Sequence, residues 1–558
     1  MKEYQRLDSG LLYPCEAGMA IDNRNKNRYK NIVPYDHSRV ILRSSSPEDN
    51  YINASYIDGY KKPNLFIACQ GPLSDTVADF WQMVWQENSP VIVMLTDLVE
   101  QNKPKCDQYW PEQCQTYGDI TVTLQNTKQS VGLITREFNI KKKASPFQKS
   151  VEQFHYLMWP DHGVPKKPAE LVQLVKRVNE CKAPGTGPMI VHCSAGIGRT
   201  GTFIALDFLL KMAEEQKKVD VLRCTHKLRE KRVNMVQNME QYSFLYDALL
   251  ETLLCGLTDV PVEDIQHHVQ KMAVQDLVTK NDGYTREFKA LQKYSEIHLL
   301  YTCREAKKPS NTGKNRSQEI LPADIWRPIL MSVLSRDGSP GYVNAVFANS
   351  YAEEDKFIIT QLPLKDTLPD FWALVYDYNC TSVILMNRVQ DLDETYPKLW
   401  PARSETKQGP FHVKVISEKP GAGFNKITLS LTKNKESTGS KLEIKLWEMN
   451  NWPMGKHLPE SPMTIISLLG EVERCRQQAQ DSHILVTCSD GASRSGLFCA
   501  GSIICEQIRT ERVVDVSFAV RTLKRKRYHL IPDVKQYSFC YQLALSYLDS
   551  FETYGNFK

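Results

Sequence analysis

A cysteine and an arginine are set into one glycine-rich string, His192-Cys193-Ser194-Ala195-Gly196-Ile197-Gly198-Arg199-Thr200-Gly201. The string follows the apolar run Pro188–Val191 and opens a segment with helical periodicity. A loop so placed turns the N–H groups of Ser194, Ala195, Gly196, Ile197 and Gly198 toward one point. The helix N-terminus adds its positive end there, and together they hold an oxyanion. The glycines let the backbone approach the ligand closely, and the planar fork of Arg199 grips two phosphoryl oxygens at once. The same field favours a thiolate at Cys193. A nucleophile at the floor of a phosphate cradle suits covalent phosphoryl transfer. The bare Cys-x5-Arg spacing is a weak signal; the full string after an apolar strand is a specific one.

The elements that must position this string read as mixed α and β. Pro90–Leu95 and Pro188–His192 are short apolar runs bounded by turn residues, as in buried central strands. Thr200–Glu215 reads as a helix with Phe203, Leu206, Leu210 and Ala213 on one face. Segments 116–158 and 410–447 alternate β-branched and polar residues and predict antiparallel meanders, while 403–409 and 434–440 read as exposed loops. The fold class expected is α/β (α+β): a highly twisted mixed sheet flanked by helices, with a strand–loop–helix cradle.

The chain also contains itself twice. Tyr51-Ile52-Asn53-Ala54 recurs as Tyr342-Val343-Asn344-Ala345, Asp79-Phe80-Trp81 as Asp370-Phe371-Trp372, and Trp159-Pro160 as Trp452-Pro453. Cys193 and Arg199 recur as Cys488 and Arg494, and Gln241-Tyr242-Ser243-Phe244 as Gln536-Tyr537-Ser538-Phe539. A period of about 290 residues is a whole domain, so this is a tandem duplication. The expected boundaries are a first domain over 1–258, a linker over 259–275 and a second domain over 276–558.

Composition frames this without adding chemistry. With 558 residues, 42% of them hydrophobic and 24% charged, the chain is an ordinary globular protein and not a disordered or disulfide-scaffold one. Seventy basic against 65 acidic residues leave a net charge of +5, too even to imply nucleic-acid binding. The 15 scattered cysteines include no C-x-x-C, so neither a zinc ribbon nor a redox pair is indicated, and most read as buried thiols of a reducing cytosol. The residues after Met1 are polar and no apolar run nears the roughly 18–20 residues of a membrane helix, so the chain is expected to be soluble. Lys524-Arg525-Lys526-Arg527 reads as a solvated helix face.

The string from His192 to Gly201 resembles the signature loop of the classical protein tyrosine phosphatases. Lys26-Asn27-Arg28-Tyr29, Asp79-Phe80-Trp81, Trp159-Pro160-Asp161-His162-Gly163 and Gln237-x-x-x-Gln241-Tyr242 resemble that family's other motifs in its order. The tandem arrangement is similar to the cytoplasmic half of receptor-type members, with the subclass open. The resemblance implies that Cys193 attacks phosphorus and that Asp161, on a closing loop, protonates the departing oxygen and then serves as base. It further implies that Gln237 and Gln241 orient the attacking water and that Thr200 hydrogen-bonds the sulfur. Tyr29 would wall a slot deep enough for phosphotyrosine, and Asn31 would stand where many members carry a peptide-binding carboxylate. Glu100 and Lys105 resemble the pair beside the acid, and Arg229 and Arg232 a supporting pair. His192 is expected behind the cradle, and Phe80 and Trp81 in the core. No metal or cofactor is implied. The implied partners are phosphotyrosine-containing proteins, with no nucleic acid. The implied place is the cytoplasm, at the inner face of the plasma membrane if a segment outside this chain anchors it. Contacts between the two domains or two copies are left open.

The second copy keeps Cys488 and Arg494 as a vestigial site. Asp490 replaces Ala195, Met454 replaces Asp161, Ser317 replaces Tyr29, Pro532 replaces Gln237, and Glu100 and Lys105 have no counterparts. An acidic side chain in an anion cradle is expected to repel phosphate and disfavour the thiolate, so the second domain reads as catalytically dead or feeble. Two rival readings of the whole remain: a dual-specificity or lipid phosphatase, and a phosphotyrosine-binding scaffold.

Overall fold

The computed structural model describes residues 2–555 apart from 44–48, 131, 144, 161–162, 166, 182–184, 298, 300, 335–337, 402–404, 434–440 and 477–481. The chain divides into two compact units, Met1–Gly256 and Leu257–Lys558.

The first unit runs through α1 (Glu16–Met19), β1 (Arg39–Ile41), β2 (Tyr51–Gly59), β3 (Lys62–Cys69), α2 (Val77–Gln86), β4 (Val91–Met94), β5 (Val99–Glu100) and β6 (Lys103–Pro104). It continues with β7 (Cys114–Tyr117), β8 (Ile120–Ser130), β9 (Leu133–Lys142), β10 (Gln148–Tyr156), α3 (Pro168–Glu180), β11 (Met189–His192), α4 (Gly198–Gln216), α5 (Val221–Lys231) and α6 (Met239–Cys255). Nine strands form one mixed sheet in the order β1-β2-β3-β11-β4-β10-β9-β8-β7. Its centre is parallel, with β11 between β3 and β4 and β10 beside β4, and its wings are antiparallel. The predicted meander is β8, β9 and β10. The apolar strand β4 is buried at every residue, as parallel strands covered on both faces are. Phe80 and Trp81 on α2 enter the core, where the Trp81 indole donates to the Tyr109 carbonyl at 2.7 Å. The carboxyl ends of β4 and β11 open together at one edge of this core, the usual place for a ligand in such a sheet.

The second unit begins earlier than the sequence suggests. Its elements are β12 (Val260–Pro261), α7 (Ile265–Met272), α8 (Gly283–Ile297), α9 (Pro309–Thr312), β13 (Leu330–Leu334), β14 (Pro340–Gly341), β15 (Ala345–Ala348), β16 (Phe357–Gln361), α10 (Leu368–Asp377) and β17 (Ser382–Leu385). There follow β18 (Glu405–Gln408), β19 (Phe411–Lys419), β20 (Phe424–Lys433), β21 (Leu442–Met449), α11 (Pro462–Arg476), β22 (Ile484–Cys488), α12 (Ser493–Glu511), β23 (Val513–Val514), α13 (Val516–Lys526) and α14 (Val534–Gly555). The sheet order β15-β16-β22-β17-β21-β20-β19-β18 repeats that of the first unit strand for strand from β2 onward.

Three expectations need correction. Residues 259–275 are not a free linker: β12 pairs with β23, Thr258 donates to Asp515 at 2.7 Å, and Val260, Val262, Ile265 and Met272 are buried in the second unit's core. Within 403–409, residues 405–408 are not loop but the edge strand β18, paired with β19; segment 434–440 lies outside the described residues. Lys524 and Arg527 do not face solvent. Both are buried, Lys524 donating to the Tyr528 carbonyl at 2.8 Å and Arg527 bonding behind the second cradle.

Candidate active site

In the first unit the chain leaves β11 at His192, turns through the glycine-rich string, and enters α4 at Gly198. Gly196 has a φ of +71°, and a Cβ there would lie 2.1 Å from the Cys69 carbonyl oxygen, so only glycine fits the turn. Behind the loop the wholly buried Arg232 donates to the carbonyls of Ala195 (3.1 Å) and Gly196 (2.8 Å) and to Asn53 (2.8 Å). Because a trans peptide points its N–H away from its carbonyl, holding the carbonyls back turns the N–H groups forward. One of these, from Gly196, donates to Cys193 Sγ at 3.3 Å.

Other elements close round that sulfur. Arg28 ties its segment down by donating to the Gly71 (3.2 Å) and Pro72 (2.8 Å) carbonyls, which sets Tyr29 at the mouth, its hydroxyl 2.9 Å from Ser194 Oγ. The β5–β6 hairpin turns on Gln101 and Asn102, both at positive φ, and delivers Glu100 from the side. Glu100 accepts both guanidinium arms of Arg199, at 2.6 and 2.9 Å, and Lys105 stands 3.9 Å away. Burial works to raise the Glu100 carboxyl, but the Arg199 bonds and charge outweigh it and hold it below its ordinary value. Arg199 also donates to the carbonyls of Leu95 (3.0 Å) and Pro160 (3.2 Å). At the start of α6 the Asn238 side chain caps the helix by accepting from the Gln241 N–H, and Gln241 Oε1 accepts from the Gln237 N–H at 2.9 Å. Arg229 supports this turn through the carbonyls of Met235 and Val236, both at 3.0 Å.

The result is a cleft of about 380 Å³. Of the residues singled out in the sequence, it brings together Tyr29, Asn31, Glu100, Lys105, Cys193, Ser194, Ala195, Gly198, Arg199, Gln237 and Gln241. Gly196, Ile197 and Thr200 stand behind its wall; the buried Thr200 hydroxyl has no hydrogen-bond partner among the described residues. Asp161 and His162 lie outside the described residues, though Gly163 from the same segment lines the cleft. Sequence reasoning missed Ile32, Thr96 and Asn238 as lining residues. Thr96 had a signal: it is the first polar residue beyond an apolar parallel strand, and it donates to Glu100 at 2.9 Å. His192 sits behind the cradle as expected, 2.8 Å from the Tyr109 hydroxyl and 3.3 Å from the Cys193 carbonyl, and burial pushes its imidazole down to about 3.

The sequence model of the family described as protein-tyrosine phosphatase matches residues 23–251 and again 311–546. This chain belongs to the protein-tyrosine phosphatase family. It is 37% identical over 98% of its length to human receptor-type tyrosine-protein phosphatase alpha, of which it covers 68%. It is 38% identical over 99% of its length to receptor-type tyrosine-protein phosphatase S of Gallus gallus, and 37% identical over 95% to type U of the same species. The chain spans little more than a third of those two relatives, 36% and 37% respectively. Among the described residues no helix is long and apolar enough to cross a membrane.

The second phosphatase-family repeat keeps the framework and changes the contents. Arg316 ties down its segment through the Leu362 (2.6 Å) and Pro363 (2.5 Å) carbonyls, as Arg28 does, but Ser317 follows where Tyr29 stands. Arg527 holds the Gly491 carbonyl and Asn344, both at 2.7 Å, as Arg232 holds Gly196 and Asn53. Arg494 donates to the carbonyls of Met386, Trp452 and Pro453; the nearby Asp391 acts on it through charge, while its own oxygens accept from Arg388 and the Met454 N–H instead of clamping Arg494 as Glu100 clamps Arg199. The Cys488 thiol is wholly buried, and burial together with Asp490 pushes it up to about 12.

Proposed function

We propose that the first unit hydrolyses phosphotyrosine in proteins through a phosphocysteine intermediate on Cys193. The reading is carried by one observation: Cys193 Sγ lies at the floor of a cleft whose mouth is walled by Tyr29 and whose side carries the clamped Arg199. In the first step Cys193 Sγ attacks phosphorus, the bond to the tyrosyl oxygen breaks, and Asp161 protonates that oxygen. In the second, water attacks phosphorus, the S–P bond breaks, and Asp161 takes the water's proton. Forward-turned N–H groups and Arg199 carry the charge that builds on the phosphoryl oxygens. Gln237 and Gln241 orient the water, and the unpartnered Thr200 hydroxyl is free to stabilise the released sulfur. General acid catalysis by Asp161 is worth on the order of 10²–10⁴-fold.

The second unit is read as a regulatory repeat without useful turnover, supported by Asp490, Met454, Ser317 and Pro532 in the places of Ala195, Asp161, Tyr29 and Gln237. Rapid-quench turnover of phosphotyrosine peptide by the full chain tests both assignments. Cys193→Ser should abolish it and Cys488→Ser should leave most of it; loss only with Cys488→Ser would reverse the units. Equal rates on phosphoserine and phosphotyrosine peptides would exclude the substrate class, because the wall at Tyr29 keeps a shorter side chain from the sulfur.

A further inference from the structure

The sequence leads one to expect that Asp490 spoils the second cradle by repulsion. Its side chain does something else. Asp490 Oδ1 accepts the N–H groups of Ala492 (2.9 Å) and Ser493 (3.1 Å), and Oδ2 accepts the Ser493 hydroxyl at 2.7 Å. Cys488 Sγ itself donates to Oδ1 at 3.0 Å. The N–H of Ser489 is taken as well, by Asn387 Oδ1 at 2.9 Å. These N–H groups correspond to those of Ile197, Gly198 and Ser194 in the first cradle. A carboxylate folded onto the Ala492 and Ser493 N–H groups and onto the sulfur stands where oxygens of a bound phosphoryl group would.

The rest of the second cradle remains built for an anion. Gly491 keeps a φ of +67°, and Arg527 holds its carbonyl back, so the loop carries the same turn as at Gly196. The Ser495 hydroxyl is wholly buried and faces the Cys488 sulfur without meeting the geometry of a hydrogen bond, the position held by Thr200 in the first unit. Burial would raise the Asp490 carboxyl, but the bonds from Ser493, Cys488 and the Ala492 N–H outweigh it and hold it below its ordinary value. The plug is therefore an anion at neutral pH, satisfied by the donors a ligand would use.

We propose that the second cradle is an intact but self-occupied site for a tetrahedral oxyanion, closed by the Asp490 carboxylate acting as an internal stand-in for phosphate. It is latent and not destroyed: removing the carboxylate uncovers a site for phosphate or a phosphate monoester. Without counterparts of Asp161 and Gln237, an uncovered cradle binds without turning over. The proposal rests on reading the first cradle as a phosphate site, and its test separates the two.

The full chain is alkylated with iodoacetamide at pH 7.5, with and without inorganic phosphate, and each cysteine is followed by peptide mass spectrometry. In the wild-type chain Cys193 should react and be protected by phosphate, while Cys488 stays inert and indifferent to phosphate. In Asp490→Ala, which places the first unit's residue at this position, Cys488 should react more than about tenfold faster as its thiolate becomes accessible, and phosphate should slow it. Reaction without phosphate protection, or continued inertness, overturns the proposal. So does a wild-type Cys488 that already reacts and is protected like Cys193. Alkylation of the wholly buried Cys380 and Cys499 would report an unfolded variant; Asp490→Ser, which also withdraws the carboxylate from the loop N–H groups, then decides by the same criteria. If phosphate fails to protect Cys193, it is the reading of the first unit that falls.

Discussion

The clamp on Arg199 shows how a side chain remote from the reacting atoms decides what the reacting ones can do. A free guanidinium on a long stem loses rotamer entropy each time it meets a ligand; bound twice to Glu100, it is already held at the cleft. Glu100→Ala leaves that charge partly buried and unpaired. The expected cost is about 1–3 kcal/mol, below the roughly 3–5 kcal/mol of a fully enclosed pair because Arg199 faces an open cleft. Misalignment should also lower kcat/KM by on the order of 10–100-fold. Urea unfolding and steady-state kinetics check both, and an unchanged kcat/KM would show that the clamp is dispensable. His192 carries a second expectation. Its folded imidazole titrates at about 3, far below the unfolded value near 6.5, so between these the unfolded chain binds the extra proton and stability falls as pH falls. From pH 7 to pH 5 the first unit should lose about 2 kcal/mol through this group alone. His192→Gln should remove that part of the slope in urea midpoints, and equal slopes would refute the assignment.

At the scale of elements, the two cradle glycines do different work. Alanine at Gly196 meets positive φ, and its Cβ meets the Cys69 backbone carbonyl oxygen at 2.1 Å with nowhere to move. Gly196→Ala should therefore destabilise the first unit by more than the roughly 1–3 kcal/mol of a strained φ/ψ alone. Gly198→Ala is milder, because its Cβ would meet only the side-chain ends of Gln237 and Gln241 at 2.9 Å. That variant should fold normally but displace the amides proposed to orient water, so the second step slows and phosphoenzyme accumulates. Quench-flow should show a larger burst with slower steady state; an unchanged burst would remove the glutamines from that role. The glycine string was legible in the sequence because its chemistry is local, built by consecutive residues between one strand and one helix. Arg199 and Glu100, or Arg232 and the Gly196 carbonyl, meet only through the fold, and no spacing rule announces them. Nor does sequence reveal that Val236 and its counterpart Ile531, β-branched residues, sit at φ of +56° and +52° just before Gln237 and Pro532. Asp490 was visible as a charge in an anion site, yet its rotamer onto the loop N–H groups, which turns repulsion into occupancy, depends on three-dimensional donors.

At the scale of the molecule, duplication was the strongest signal in the sequence, and the two sheets share their strand order from β2 and β15 onward. The boundary between the copies was harder to read, because internal comparison finds only what both copies share. Residues 257–272 have no partner motif in the first copy, so their apolar positions looked like connector; three-dimensional packing makes Val260, Val262, Ile265 and Met272 part of one core with Phe288 and Leu291. This assignment separates two substitutions twelve residues apart. Ile265 is 2% exposed and Leu277 is 86% exposed. If residues 259–275 were a connector, Ile265 would be as neutral to truncation as the exposed Leu277 just beyond them. If the second unit begins at Leu257, Ile265→Ala removes buried methyl groups and leaves a cavity, costing about 2–5 kcal/mol, whereas Leu277→Ala should stay within about 0.5 kcal/mol. Urea unfolding of the full chain, followed through alkylation of the buried Cys499 and Cys540, reads the second unit directly. Equal midpoints for the two variants would return residues 259–275 to the role of a connector, and with it the boundary first read from the sequence.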